Sequence, residues 1–336
     1  MEDAGAPAAF SFCDKVADLL ALVRVEDISP PTIDKRWFVF NSTTTVEDAL
    51  RLLKEYHLTA IPVKDAVSDL CVGFIDTLDL VGYLVSLFSS TNEPLETFTI
   101  TELNRLYERF CLEQIGRLVD LSQRNPFIPV PVGQNLSDTL SNLKQYASIT
   151  VQRVPVVNTI REVDRERKEI INIVSHSAIL RMIASHITVF SQDAWKPIST
   201  FLPEGQLPVF SVQPHTKAID AFFQMYQRRL HGVALVDSKG QLCGNLSSSD
   251  LRGMSRDKFH LLFLPVVDFL KEVYREAGKI MTPVLSATPS TSLETVILRL
   301  AATKMHRLYL VDERTNEPLR VISLPDIMNI LVTYFV

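Results

Sequence analysis

The chain has 336 residues, 46% of them apolar and 22% charged, with a formal net charge of -5. That is the profile of a globular protein with room for two domains; it excludes a disordered or fibrous chain and any overall basic field that would draw in nucleic acid or anionic lipid. The N-terminus "MEDAGAPAAFSFCDK" has acids where a secretory leader has positive charge, and no apolar run reaches the roughly 20 residues a bilayer needs, so a cytoplasmic or nuclear location without membrane contact is expected.

In chain order, residues 1–34 supply one helix, "FCDKVADLLALVRV", docked on the first half of the chain. "FVF" (38–40) predicts a short strand, and "TVEDALRLLKEY" an amphipathic helix with Thr44 and Glu47 as its capping box. "LTAIPVKD" (58–65) is a strand, and "VGFIDTLDLV" (72–81) a second strand turning into a helix. "TITELNRLYERFCLEQIGRLVDL" (99–121) reads as a helical connection.

The order then returns: "FIPVPV" (127–132), the helix "LSDTLSNLKQYA", "VQRVPVVN" (151–158) and "INIVSHSAIL" (171–180). Past a Pro- and Ser-rich boundary at 191–208 it returns again as "PVFSV" (208–212), "KAIDAFFQMYQRRL", "LHGVALVD" (230–237) and "CGNLSSSDLR" (243–252). A second helical connection (255–281), broken at Pro265, leads to "PVLSA" (283–287), "SLETVILRLAATK" with Thr291 and Glu294 as capping box, "MHRLYLVD" (305–312) and "RVISLPDIMN" (320–329). Between the two strands the second copy inserts "REVDRERKE" (161–169), expected as a solvated loop or helical extension.

Four copies of strand, helix, strand, strand, helix predict an α/β (α+β) protein whose units pair to cover their sheets. This pattern resembles four cystathionine-beta-synthase (CBS) motifs forming two tandem, pseudo-symmetric Bateman modules, and the nearest likeness is to the gamma subunits of AMP-activated protein kinase. The resemblance is strongest in the last copy, "SLETVILRLAATKMHRLYLVDE…VISLPDIMNILV". It implies a first module over about 35–190 (units 35–88 and 122–187), a linker at 191–206, and a second module over 207–336 (units 207–255 and 280–336).

The resemblance also implies clefts for AMP, ADP or ATP as regulatory ligands, and alpha-type catalytic and beta-type scaffold subunits as partners. Carried over by position, Asp79, Asp250 and Asp326 would accept hydrogen bonds from ribose hydroxyls. Ser247 and Ser323, each three residues earlier, would lie near phosphate, and His306, Arg307 and Arg153 would donate to it. The second copy has Ala178 in place of the acid.

Where the kinase subunits carry basic residues, this chain has Thr59, Gln152 and Ser177, and Asp76 replaces the usual Ser or Thr. These losses favour an alternative: a four-CBS interaction protein, such as the phosphatase-inhibiting fungal relatives of the scaffold, with weak or no nucleotide sensing. Each Ser-x-x-Asp also has a plain structural reading as a helix cap with its acid at N3.

No enzyme or metal signature is present, neither GxxxxGK[ST], GxGxxG, HExxH nor GxSxG, and His57, His186, His215 and His260 hold no ligand spacing. Cys13, Cys71, Cys111 and Cys243 form no CxxC pair and are expected as reduced thiols. A regulatory, non-catalytic subunit is expected.

Overall fold

The structure is a computed structural model and describes residues 15–28, 39–91, 98–144, 151–162, 165–203, 208–276 and 284–335. The first fourteen residues, with Cys13 and the start of the first predicted helix, lie outside the described residues; the helix itself is α1, Val16–Leu22.

Each copy folds into a three-stranded sheet with the same order and senses. In copy one, β1 (Phe40–Asn41) runs parallel to β2 (Ala60–Lys64), which pairs antiparallel with β3 (Cys71–Asp76); α2 (Val46–Glu55) makes the crossover and α3 (Thr77–Ser89) follows. After the connecting α4 (Ile100–Leu112), copy two has β4 (Val130–Pro131), α5 (Leu136–Lys144), β5 (Arg153–Glu162), β6 (Arg165–Ser175) and α6 (His176–Ser185). Copy three has β7 (Ser211–Val212), α7 (Ala218–Gln227), β8 (Gly232–Val236), β9 (Leu242–Ser247) and a 3-10 turn, Ser248–Gly253. Then α8 (Val266–Glu276) leads to β10 (Ser286–Ala287), α9 (Leu293–Thr303), β11 (Arg307–Val311), β12 (Pro318–Ser323) and α10 (Leu324–Tyr334). The ladder slips at the same place in all four sheets, at Val63/Lys64, Val156/Val157, Leu235/Val236 and Leu310/Val311, so the repeat extends to backbone irregularities.

Two expectations are corrected. The insertion of copy two is neither loop nor helix: β5 and β6 continue as a paired hairpin from Asn158↔Glu169 out to Glu162↔Arg165. A charge run has the same composition in all three states, and here the strand pairing already begun between Arg153 and Ser175 simply continues. The helix caps also fall one residue later than predicted: Thr45 accepts from Asp48 N, and Ser292 from Thr295 N, so Thr44 and Thr291 are outside the helices.

The hydrophobic cores do not follow the modules. One core joins copy one to copy three, with Leu78, Val81 and Leu84 of α3 against Ile219, Phe222 and Met225 of α7. Gly82 makes this crossing possible, because a Cβ there would collide with the Tyr226 ring. Phe259 closes that core, stacked on Phe88 at 5.7 Å and edge-on to Tyr107 at 5.4 Å. The other core joins copies two and four and takes in α1, through Leu19, Leu20, Leu140, Ile179, Ile297 and Leu331. Phe222 is part of the first core while Phe223 remains partly exposed. Within each predicted module the contact runs between sheets: Phe74 against Phe127 at 6.2 Å in one, and Tyr309 Oη donating to Asn245 Oδ1 at 2.7 Å in the other.

Candidate functional site

Each third strand ends on the residue that caps the next helix: Asp76, Ser175, Ser247 and Ser323. In copies one, three and four the acid three residues on accepts the cap's backbone N–H, at 2.7 Å for Asp79, 2.8 Å for Asp250 and 2.7 Å for Asp326. The three carboxylates predicted to meet ribose are thus all members of capping boxes.

They differ in what is left over. Asp79 is fully buried, and its second oxygen accepts Ser122 N at 2.8 Å, from the segment leading into copy two. Burial and the neighbouring Asp76 charge push Asp79 well above the usual carboxylate range. Asp250 is 9% exposed, receives Tyr274 Oη at 3.4 Å, and is pushed by burial up to about 6. Asp326 is exposed, and among the described residues only one of its oxygens is engaged, by the Ser323 amide and hydroxyl.

The starts of the four middle strands converge. Burial, reinforced by Arg153 of copy two, Arg307 of copy four, and His231 and Arg252 of copy three, pushes the His306 imidazole down to about 3. His231 Nε2 lies 2.8 Å from Asp76 Oδ2 of copy one, and Arg153 Nη2 donates to Thr59 Oγ1. The centre therefore draws on all four copies. Burial lowers the pKa of Arg153 and of Arg307, and drives His176 down to about 4. Arg153 Nη1, Arg307 Nη1 and His176 Nδ1 are buried with no hydrogen-bond partner among the described residues, which marks a place short of acceptors.

Arg307 does not join its own Asp326. Its guanidinium crosses the module into the space a side chain on Gly232 would fill, and its charge acts on Asp250. The geometry thus puts Arg307, which the sequence grouped with Asp326, beside Gly232 and Asp250 of copy three. The sequence does carry a signal for this: in both modules the first copy has a small residue at that strand position (Ala60, Gly232) and the second an arginine (Arg153, Arg307). A groove of about 530 Å³ lies away from the centre, between α4 and residues 256–263, where Tyr107, Glu108 and Arg256 line it. Among the described residues no cluster of His, Cys, Asp or Glu could hold a metal ion, and no helix is long and apolar enough to cross a membrane.

Four α/β units arranged in two sheet-paired modules, with polar strand starts and capped helices around a common centre, define a four-repeat α/β protein. The CBS domain model matches residues 25–86, 205–257 and 277–333, just over half of the chain, and the chain belongs to the CBS-domain family. The second copy falls outside these matches although its sheet has the same order.

By sequence, the chain is 27% identical to Protein SDS23 of Kluyveromyces lactis over 327 residues, covering 88% of this chain and 60% of that protein. It is 28% identical to Protein SDS24 of Saccharomyces cerevisiae over 289 residues, covering 80% and 51%. The chain thus spans little more than half the length of the curated relatives it matches. By structure it is similar to Protein MJ1225 of Methanocaldococcus jannaschii, described as a proposed archaeal homolog of g-AMPK, with a TM-score of 0.66 at 17% identity, covering 91% of this chain and 99% of that one. An uncharacterized conserved protein from Pyrococcus horikoshii is similar too, with a TM-score of 0.50 at 17% identity, covering 92% and 100%. At these identities the likeness to the archaeal chains is one of fold, while the kinship in sequence is to the SDS23 and SDS24 proteins.

Proposed function

We propose that the chain is a non-catalytic four-CBS interaction protein of the phosphatase-regulating kind, and that it is not the gamma-type subunit of a kinase complex. The observation that carries this reading is Asp79: both its oxygens are taken by backbone amides of the chain itself, so the first cleft offers a ribose no free carboxylate. Copy two offers none either, having Ala178. Losses of basic residues at Thr59, Gln152 and Ser177 point the same way, and so does the kinship to SDS23 and SDS24 proteins rather than to kinase subunits. The test is capture of the full-length chain from native lysate with identification of the proteins retained. A phosphatase catalytic subunit is the expected companion; a kinase catalytic subunit together with a beta-type scaffold would overturn the reading.

A second reading, adenine-nucleotide binding in the second module, is favoured by one specific observation: Asp326 keeps an oxygen without a protein partner among the described residues, on a helix whose first residue, Leu324, donates its backbone N–H to the His306 carbonyl at 3.1 Å. A thermal-shift series with AMP, ADP and ATP tests it. Saturable stabilisation that Asp326→Ala abolishes supports it, and no shift with any of the three removes it.

A further inference from the structure

Asp76 is unlike its three counterparts. At the same cap position the other copies have Ser175, Ser247 and Ser323, each a neutral hydroxyl. Asp76 is 1% exposed and accepts four hydrogen bonds: Leu78 N at 2.7 Å and Asp79 N at 3.0 Å from the start of α3, Asn125 Nδ2 at 2.5 Å, and His231 Nε2 at 2.8 Å. These donors come from copy one, from the first residues of copy two, and from copy three. Two guanidinium groups act on the same carboxylate, Arg124 and Arg153. Around it Ser122 Oγ, Arg124 Nε and Arg153 Nη1 are buried donors with no partner among the described residues. The surroundings therefore supply more donors and more positive charge than one carboxylate consumes, as an anion-binding pocket does.

We infer that Asp76 is a built-in anion: its carboxylate occupies, from within the chain, a small-anion pocket at the meeting point of copies one, two and three, and so latches the first module to the second. Burial alone would raise the Asp76 pKa, yet the charge and hydrogen bond of His231 and the Asn125 amide outweigh it and hold the carboxyl below its usual range, so the latch is ionised at neutral pH. The latch does not depend on which protein the chain binds. It adds to burial, the larger cause, in raising the pKa of the adjacent Asp79, since one negative charge already fills the pocket.

The experiment is chemical rescue in the full chain. Asp76→Ala deletes the carboxylate and leaves a cavity the size of formate, which is the probe; sodium chloride at equal ionic strength is the control, and inorganic phosphate asks whether the pocket admits a larger anion. Loss of a buried, paired charge is expected to lower the Tm by roughly 5–15 °C. Formate should restore at least half of that loss, saturably, in the variant and not in the wild type. A variant as stable as wild type, or a loss that formate repairs no better than chloride, overturns the inference. Should Asp76→Ala fail to fold, Asp76→Asn, which keeps the cap and removes the charge, and His231→Gln, which keeps an amide donor and removes the imidazole, replace it. Both must then lower the Tm, and the pair Asp76→Asn with His231→Gln must lose less than the sum of the two. Additive losses would show that the two residues act separately and would likewise overturn it.

Discussion

The Arg307 guanidinium fills the side-chain space of Gly232, so the two residues at equivalent positions of copies three and four behave as one unit: the smaller exists to admit the larger. Gly232→Val should therefore cost roughly 1–3 kcal/mol in urea unfolding, from overpacking. In the double variant with Arg307→Ala the cost should be smaller than in Arg307→Ala plus Gly232→Val taken separately, giving a coupling of about 1 kcal/mol or more. Additivity would show that the contact does not matter.

Asp250 predicts a loss of stability as the pH rises through the weakly acidic range. Its folded pKa is raised to about 6 by burial, so its contribution is favourable while it is protonated and is lost as pH climbs from about 4 through 6. The loss approaches about 3 kcal/mol and is complete above that window. Asp250→Asn should remove it, leaving the variant more stable than the parent at pH 7.5, with the two curves converging toward pH 4. Denaturant titrations across that range provide the check.

His306 predicts the opposite limb. With its folded pKa pushed down to about 3, the neutral ring is favoured in the fold, so stability present above pH 6.5 is lost as the pH falls. At pH 4 the cost approaches roughly 3 kcal/mol. His306→Gln should shift the acid midpoint downward, read by circular dichroism against pH.

Phe259 packs against Phe88, Tyr107 and Phe110 and is 1% exposed. Phe259→Ala should cost roughly 3–5 kcal/mol. Because this residue closes a core that both halves of the chain build, both halves should unfold together in the variant, in one calorimetric transition.

The long hairpin of copy two should be dispensable for stability. Asn158, Thr159, Ile160, Lys168 and Glu169 are all exposed, and none belongs to either core. Replacing residues 159–168 by Asn-Gly joins Asn158 to Glu169 across a two-residue turn. The Tm is expected to change by less than about 3 °C. A larger fall would assign the arm a packing role.

The repeat was legible because strand alternation and helical periodicity are local, and each copy states them afresh; the leading strands, the two helical connections and the break at Pro265 all follow from such signals. What periodicity does not encode is the partner. Leu78 and Val81 announce an apolar face, yet nothing in their spacing says that α7, more than a hundred residues on, will cover it. The closure of Asp79 was hidden for a related reason: Ser122 contributes a backbone amide, which any residue could supply, so no motif marks it. The reach of Arg307 was open to inference from the small-then-arginine alternation of Ala60, Arg153, Gly232 and Arg307, which needs the copies compared in pairs rather than all together.

The crossed cores also bear on how the chain comes off the ribosome. When copies one and two have been synthesised, their sheets can meet, but α3 still waits for Phe222 and Met225, and α6 for Ile297 and Leu331 near the far end. The first interior cannot be sealed until Phe269 and Leu270 of α8 have emerged, and the second not until α10 has, so the nascent first half must carry uncovered apolar helix faces through most of translation. A protein built this way depends on chaperone shelter early and becomes resistant to proteases late, in two steps, first when α8 closes the core of copies one and three and then when α10 docks on that of copies two and four.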